Sequence, residues 1–418
     1  MLLEKSTVKE RSITTINDFL KQYEDYISDD DQNILSHDIN LEMNRNSQRL
    51  CPIIQLAEPK DAKAITQIFK NVYHGTYPYK SMEDIQEVRS MIKHSNYEVL
   101  VYKLGLNKTV GCLTVDLEFK KKTGIIHGFV FRKEYQKIVD SLKACIGSLT
   151  YIWKTYKNKI YVWSAEVRTK DYAPQYYGSL CGLRPIAFFP NKDIFFNQIE
   201  SDLLIITYND DVLKKYRRKE EPKIIRQVLN CYLYSNKRYN LGTPFIENPN
   251  ITLDQIKINE IKKKINKVIE KDKFGNEIVI FSLSKSESYF KFIHSPCIQS
   301  IEKTDYKINI SEELYVFIEE LKGFMRKMNI RYFECYVSSY LPTHQKIFYD
   351  AGFSPRGYVP CLKYNKNQKC FEDQVVFNYF KGTIDESINL IPESEELLQI
   401  LNFFEGKSVR EPSEIINI

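Results

Sequence analysis

Nothing in this 418-residue chain marks a metal centre or a disulfide framework. Its nine cysteines include no CxxC pair and no Cys/His ligand spacing. A structural zinc is therefore not expected, and the thiols read as reduced, as in a cytosolic protein. Also missing is a run of about 20 apolar residues, the length needed to span a bilayer. The opening residues MLLEKSTVKERS contain no apolar core of the kind a secretory signal needs. The expectation is a soluble, cytoplasmic protein without a membrane partner. A large excess of one charge sign is missing too. The net charge is +6, without the dense basic stripe of a nucleic-acid binder, so no DNA partner is expected. The best basic cluster, Lys214–Lys215–Tyr216–Arg217–Arg218–Lys219, runs straight into Glu220–Glu221. It reads as a solvated helix face.

What is present is ordinary globular composition, 43% apolar and 27% charged, at a length of two to three domains. One pattern occurs twice. Gly182–Leu183–Arg184–Pro185 continues to Pro190 and then to the acidic pair and strand Glu200–Ser201–Asp202–Leu203–Leu204–Ile205–Ile206. Some 170 residues later, Gly352–Phe353–Ser354–Pro355 continues to Pro360 and to Glu372–Asp373–Gln374–Val375–Val376–Phe377. A period this long exceeds solenoid repeats of 20–50 residues, and it reads as a duplicated domain.

Hydrophobic periodicity places a strand at 52–57, helices from Lys60 and from Ser81 to Lys93, and strands at Tyr97–Tyr102, Thr109–Phe119 and Gly124–Phe131. A helix over Val139–Tyr156, a strand at Ile160–Glu166 and a helix at Tyr172–Leu180 follow, then two closing strands. The second copy is expected to start near Glu277, with strands at Ile278–Leu283 and Tyr289–His294. It continues with a helix N-capped by Ser311, a strand at Tyr332–Val337, a helix at Thr343–Asp350 and two more strands. The expected divisions are an extension over 1–48, a first domain over 49–210, a charged helical linker over 211–272, a second and less complete domain over 273–384, and a tail over 385–418. The class is α/β with a mixed sheet. The acidic run Ser28–Asp31 belongs to the extension.

This element order resembles the GNAT acyltransferase superfamily, over about residues 50–208. Val110–Gly111 is similar to the family's V-G opening of the third strand. Phe129–Val130–Phe131–Arg132–Lys133–Glu134–Tyr135–Gln136 resembles the end of the fourth strand and the start of the diphosphate loop. Gly182–Leu183 and Gly352–Phe353 resemble the family's Gly-Phe pair. The resemblance implies two tandem GNAT-like acyl-CoA N-acyltransferase folds, with acetyl-CoA as the default donor and a small-molecule or protein amine as acceptor. It implies pantetheine pairing with Phe129, Val130 and Phe131. The diphosphate would lie at Gln136, Lys137, Ile138, Val139, Asp140 and Ser141, at a helix N-terminus.

The family's loop glycines fall on Val139 and Ser141. A second register over Ala144–Leu149 leaves 13 residues from Gly147 to Ile160, against 19 from Ser141. The corresponding stretch Ser295–Asp305 of the second copy contains no glycine, so that copy is expected to be structural. Amine acylation needs a base, a donor to the developing oxyanion and an acid for the thiolate. Glu166, at a strand end, is the candidate base, with Glu334 as its counterpart. Tyr177 is the candidate acid, or else a core aromatic. His127 and His294 sit on the two presumed fourth strands and either line the acceptor pocket or are structural. Tyr77 and Tyr79, with Lys80, lie in a loop where the family builds acceptor contacts. The alternatives are a non-catalytic binding protein and an aminoacyl transferase using charged tRNA. The low net charge argues against the latter. An internal duplication predicts a monomer containing a pseudo-dimer of domains.

Overall fold

The computed structural model describes residues 13–23, 49–105, 108–284, 286–384 and 387–403. The acidic run Ser28–Asp31 and the end of the tail lie outside them. The first half runs α1 (Ile16–Tyr23), β1 (Ile53–Leu56), α2 (Ala62–Tyr73), α3 (Ile85–Lys93), β2 (Tyr97–Leu104), β3 (Lys108–Glu118), β4 (Thr123–Phe131), α4 (Ser141–Tyr156), β5 (Val162–Arg168), α5 (Tyr172–Leu180), β6 (Arg184–Phe195) and β7 (Gln198–Tyr208). A connecting segment holds β8 (Lys223–Ile224), α6 (Leu229–Tyr239), β9 (Phe245–Ile246) and α7 (Gln255–Lys262). The second half follows as β10 (Ile265–Lys271), β11 (Glu277–Leu283), β12 (Tyr289–Ser295), β13 (Ser300–Lys307), α8 (Ser311–Lys327), β14 (Tyr332–Ser338), α9 (Pro342–Asp350), β15 (Ser354–Asn365) and β16 (Cys370–Phe380). The chain ends in α10 (Pro392–Ile400).

Fourteen strands form one sheet in the order β1-β2-β3-β4-β5-β7-β6-β15-β16-β14-β13-β12-β11-β10. Read inward from either edge, the order of the seven strands is the same. In each half only the fourth and fifth strands are parallel, β4 with β5 and β13 with β14. The halves meet where β6 pairs antiparallel with β15 at Ala187 and Gly357, residues 170 apart. A Cβ on Gly357 would lie 2.4 Å from that of Ala187 and 2.6 Å from the Ile186 carbonyl oxygen. Glycine is what permits this approach.

The repeat extends to side-chain detail. Gln175 and Gln345, both buried, each donate through Nε2 to the carbonyl seven residues earlier, Arg168 and Ser338. Asn191 and Cys361 both adopt positive φ in matching bulges of β6 and β15. Their N–H groups are held by Ser201 Oγ and Asp373 Oδ1.

Both faces of the first half are covered. The α4/α5 face packs Trp153, Phe188 and Phe19 into one core. The other packs α2 and α3 on Val101, Cys112 and Val130. Strands covered on both faces read as near-continuous apolar runs, as β3 does. A third core lies between the halves and includes Ile186, Phe189, Tyr208, Tyr332 and Val359. No helix among the described residues is long and apolar enough to cross a membrane.

Several expectations are corrected. Residues 13–23 are not a loose extension, because Phe19 and Leu20 of α1 are fully buried against α4. The connecting segment is not purely helical. β10 opens the second half, which therefore has its first strand and lacks only the two helices after it. α6 bridges the halves, with Tyr234 OH donating to Pro185 O and Ser235 Oγ to Tyr358 O. Within the basic run, Arg217 is not solvated; it grips the buried carboxylate of Asp373. The tail packs back on the first half through Leu397 and Leu398 and the Arg184–Glu393 ion pair.

Candidate functional site

β4 and β5 pair over Thr123–Ile126 and Val162–Ala165 and then part. The parting coincides with a bulge in β4 between His127 and Val130, centred on Gly128 at φ +65°. The Arg132 N–H donates to Val110 O, on the β3 side. Strand alternation then turns the backbone groups of Phe129 and Phe131 toward the gap. Such an edge accepts an extended chain as an added strand. Tyr102 stacks on Phe131 at 4.9 Å and meets Phe129 edge-on, which stiffens it. The Phe131 carbonyl accepts a bond from Gln136 Nε2 at 3.1 Å. His127 is tied to Asp116 at 2.8 Å.

The loop after β4 is the predicted diphosphate cradle, and its amides are engaged within the chain. Gln136 N–H donates to Lys133 O, Ile138 and Val139 N–H to Tyr135 O, Asp140 N–H to Leu50 O, and Ser141 N–H to Val139 O. Val139 is fully buried, so it is a core residue and not a lining one. Asp140 caps α4 by accepting the Lys143 N–H. That puts a carboxylate where the helix dipole favours an anion. Lys137 and Ile138 are exposed. Ser141 Oγ and Tyr177 OH lie 2.9 Å apart, joining the start of α4 to α5 across the gap.

Glu166 leads to a feature that the sequence reading missed. Its Oε1 accepts from Lys192 Nζ at 2.7 Å, and Lys192, in the β6 bulge, is 1% exposed. The same ammonium donates to Glu334 of the second half at 3.0 Å and lies 4.0 Å from Glu302. Tyr332 OH also donates to Glu334. Arg331 donates to the carbonyls of Asn191, Lys192 and Ile298, pinning the bulge from the second half. Asp193 and Asp202 complete the cluster.

Burial opposes the charge on Lys192, but Glu166, Glu334 and Glu302 outweigh it and hold the ammonium well above the ordinary lysine value. Burial, with Glu166 nearby, pushes Asp202 up to about 7. Burial pushes Glu334 up to about 7 as well, with Lys192 pulling it down and Glu166 and Glu302 adding to the rise. Asp193 is raised by burial and by Asp202. Tyr79 is 37% exposed as a residue, but its hydroxyl end is buried near this cluster, and burial, Glu302 and Asp193 raise its pKa well above the usual phenol value. Tyr77 is buried beside it in the α2 core. The structure thus brings Glu166, Tyr77 and Tyr79 to one place. Tyr177 and the α4 loop lie around the gap.

In the second half, the fourth-strand counterpart is β13, within the stretch expected to be a loop. His294 lies on the third strand, β12, bonded to Glu277. Ser311 is not the cap of α8; it is the helix's first residue, and the Glu313 carboxylate reaches back to the N–H groups of Asn309 and Ile310. That N-terminus is already satisfied by a buried anion. The in-register counterpart of Glu166 is Tyr336, opposite Val376 as Glu166 is opposite Leu204. Glu334 is two residues out of register, on the same strand face. The signal available for the cluster was the acidic repeat at Glu200–Asp202, whose burial no single strand reveals.

No family model matches the chain, and no curated protein matches it. Among solved structures, a probable acetyltransferase from Staphylococcus epidermidis is 13% identical, over 38% of this chain and 99% of that one, with a TM-score of 0.32. Ribosomal-protein-alanine N-acetyltransferase from Brucella melitensis is 15% identical over 38% and 99%, at 0.32. Spermidine N-acetyltransferase from Vibrio cholerae is 10% identical over 39% and 97%, at 0.34. At these identities and scores the likeness bears on neither substrate nor reaction.

Proposed function

We propose that the first half is an acyl-CoA-dependent N-acyltransferase of the GNAT type and that the second half is a GNAT-like copy without a donor site. The observation that carries this is the parallel β4–β5 pair opening beside the β4 edge at Phe129 and Phe131, where the Phe131 carbonyl is held by the Gln136 side chain, with a carboxylate cluster at its mouth. The edge fits a pantetheine arm. The loop amides do not fit a diphosphate, since those of Gln136 and Ile138–Ser141 are engaged and Asp140 brings negative charge. In this reading the exposed ammonium groups of Lys133 and Lys137 hold the diphosphate by charge alone. Acetyl-CoA, when bound, supplies the activated acyl group.

Glu166 is the proposed base. Its side chain is 31% exposed, against 10% for Glu302 and 6% for Glu334, so it is the carboxylate an entering amine meets first. Tyr177 is the proposed acid, and Tyr77, Tyr79 and His127 are proposed to shape the acceptor side. A second reading, a binding protein without catalysis, is favoured by the engaged loop amides. Calorimetric titration of the full chain with acetyl-CoA separates the two. Micromolar binding, weakened by Lys133→Ala and by Lys137→Ala, is the expected result; no heat would remove the enzyme reading. With a responsive amine, Glu166→Gln and Tyr177→Phe should each lower kcat about 100-fold.

A further inference from the structure

We propose that the surface at the N-terminal ends of β4 and β5 is a binding face for single-stranded nucleic acid, set apart from the acyl-transfer site. Four segments build it. The β3–β4 turn gives Lys120, Lys121 and Lys122, and the α4–β5 turn gives Lys157 and Lys159. The segment after β7 gives Lys214 and Lys215, and the β15–β16 hairpin of the second half gives Lys363, Lys366 and Lys369. The acids on these segments are Glu118, Asp210 and Asp211, so residues 118–122, 156–161, 209–216 and 363–370 together carry +7. The whole chain carries +6, so the remainder sums to −1. No single stretch of sequence shows a basic stripe, because only the fold assembles it.

Contacts tie the four segments into one surface. The Tyr161 N–H donates to Lys122 O, the Asn209 N–H to Tyr161 O, and Asn209 Nδ2 to Lys157 O. Lys122 Nζ lies 5.2 Å from the Tyr161 ring and 4.3 Å from that of Tyr364, across the junction of the halves. Tyr161 meets Tyr216 at 5.6 Å and Phe371 at 6.1 Å. Lys121 pairs with Glu118 and Lys215 with Asp211; the other eight lysines pair with no carboxylate among the described residues. At the border, Arg218 and Lys219 are balanced by Glu220 and Glu372.

A second, independent observation selects the ligand. Aromatic rings are set among the lysines. Tyr216 is 40% exposed and Phe119, in the β3–β4 turn, 36%, while Tyr161 and Tyr364 are half-buried. Lysines that track phosphates, interleaved with aromatic faces on which unpaired bases stack, suit a single strand. A duplex hides its base faces and leaves these rings unused. An anionic bilayer calls for apolar side chains that enter it, and the hairpin tip over residues 365–369 has none. All ten cations are lysines, which meet phosphates as point charges and read no base edge, so binding is expected to be independent of base sequence. The surface lies at the start of β5, and Glu166 is four residues beyond Val162, about 13 Å along the strand. This proposal and the acyl-transfer reading therefore stand or fall separately.

The test is fluorescence anisotropy of the full chain with labelled oligouridylate and oligothymidylate of about 20 nucleotides, from about 50 to 200 mM KCl. A duplex of the same length and phosphatidylserine vesicles serve as comparisons. The expected result is binding of both single strands, with a slope of log K against log[KCl] of about −4. A variant combining Lys363→Gln, Lys366→Gln and Lys369→Gln should weaken binding about tenfold or more and flatten the slope by about 2. A second, combining Lys157→Gln and Lys159→Gln, should act in the same direction and flatten it by about 1.4. Tyr216→Ala should cost about tenfold in affinity, and Tyr216→Phe should restore it. Lys262→Gln with Lys263→Gln, at the end of α7 and away from this surface, should change nothing. All these side chains are exposed, so each variant should keep the cooperative thermal unfolding of the native chain. No binding of either single strand, a duplex bound as tightly, an unchanged slope in both folded lysine variants, or an equal loss in the Lys262 and Lys263 variant would each overturn the proposal. Binding to the vesicles without binding to the oligonucleotides would do so too, and would assign the surface to a membrane.

Discussion

Lys192 places one ammonium among Glu166, Glu334 and Glu302, and burial raises the pKa values of Glu334, Asp193 and Asp202. Their raised pKa values make stability depend on pH in a definite direction. Asp202 rises from an ordinary aspartate value to about 7 in the folded chain, so the folded state keeps its proton after the unfolded chain has lost it. Stability from this group is full below about pH 4 and is lost as pH climbs to about 7. Glu334 acts in the same sense and window. At about 1.4 kcal/mol per pKa unit, Asp202 accounts for up to about 4 kcal/mol across the window. Urea unfolding from pH 4.5 to 7.5 should therefore show a falling midpoint for the native chain and a flatter profile for Asp202→Asn. Equal slopes would mean that the cluster is not protonated as described.

α4 begins on Asp140, a good N-cap that also denies the helix terminus to an external anion. Asp140→Asn keeps the cap and removes the charge. Acetyl-CoA affinity should rise about fivefold at low salt, with less than about 1 kcal/mol change in stability. Titration calorimetry on the variant reads this directly, and unchanged affinity would place the diphosphate away from α4. α8 offers a contrast. Glu313 caps it from within and is itself buried, so this helix is closed to phosphate by folding. The two helices start with the same problem, unsatisfied N–H groups, and both solve it with their own carboxylates.

Across the whole molecule, the isologous contact at Ala187 and Gly357 makes one sheet from two halves, as a two-fold homodimer would from two chains. The second half then completes the first half's cluster through Glu302, Glu334 and Arg331. Gly357→Ala inserts a methyl group where no space exists. A cost of about 1–3 kcal/mol is expected, together with separation of a single denaturant transition into two as the halves uncouple. Tryptophan fluorescence reports the first half alone, since both tryptophans, Trp153 and Trp163, lie there. Comparing it with far-ultraviolet dichroism detects the splitting; coincident transitions would show that the halves do not depend on this contact.

Local pattern was enough for much of the scaffold. Strand and helix order in the first half followed from periodicity. Gly182 and Gly352 end α5 and α9 at φ +83° and +95°, as their place in the repeat required. The repeat itself, Gly-x-x-Pro to the acidic pair, was visible because turn glycines, prolines and buried acids are dictated by backbone geometry close at hand. β13 was read as a loop because its alternation of charged and small residues lacks an apolar face, which only its place between β12 and β14 explains. Glu166 was found as a strand-end carboxylate, but not its partner Lys192, which looks like any surface lysine until the bulge of β6 turns it inward. The sequence alone determined two scaffolds and their order. Only the tertiary structure decided that five acids and one lysine from both scaffolds meet in one cluster, because charge balance there is set by neighbours more than a hundred residues apart.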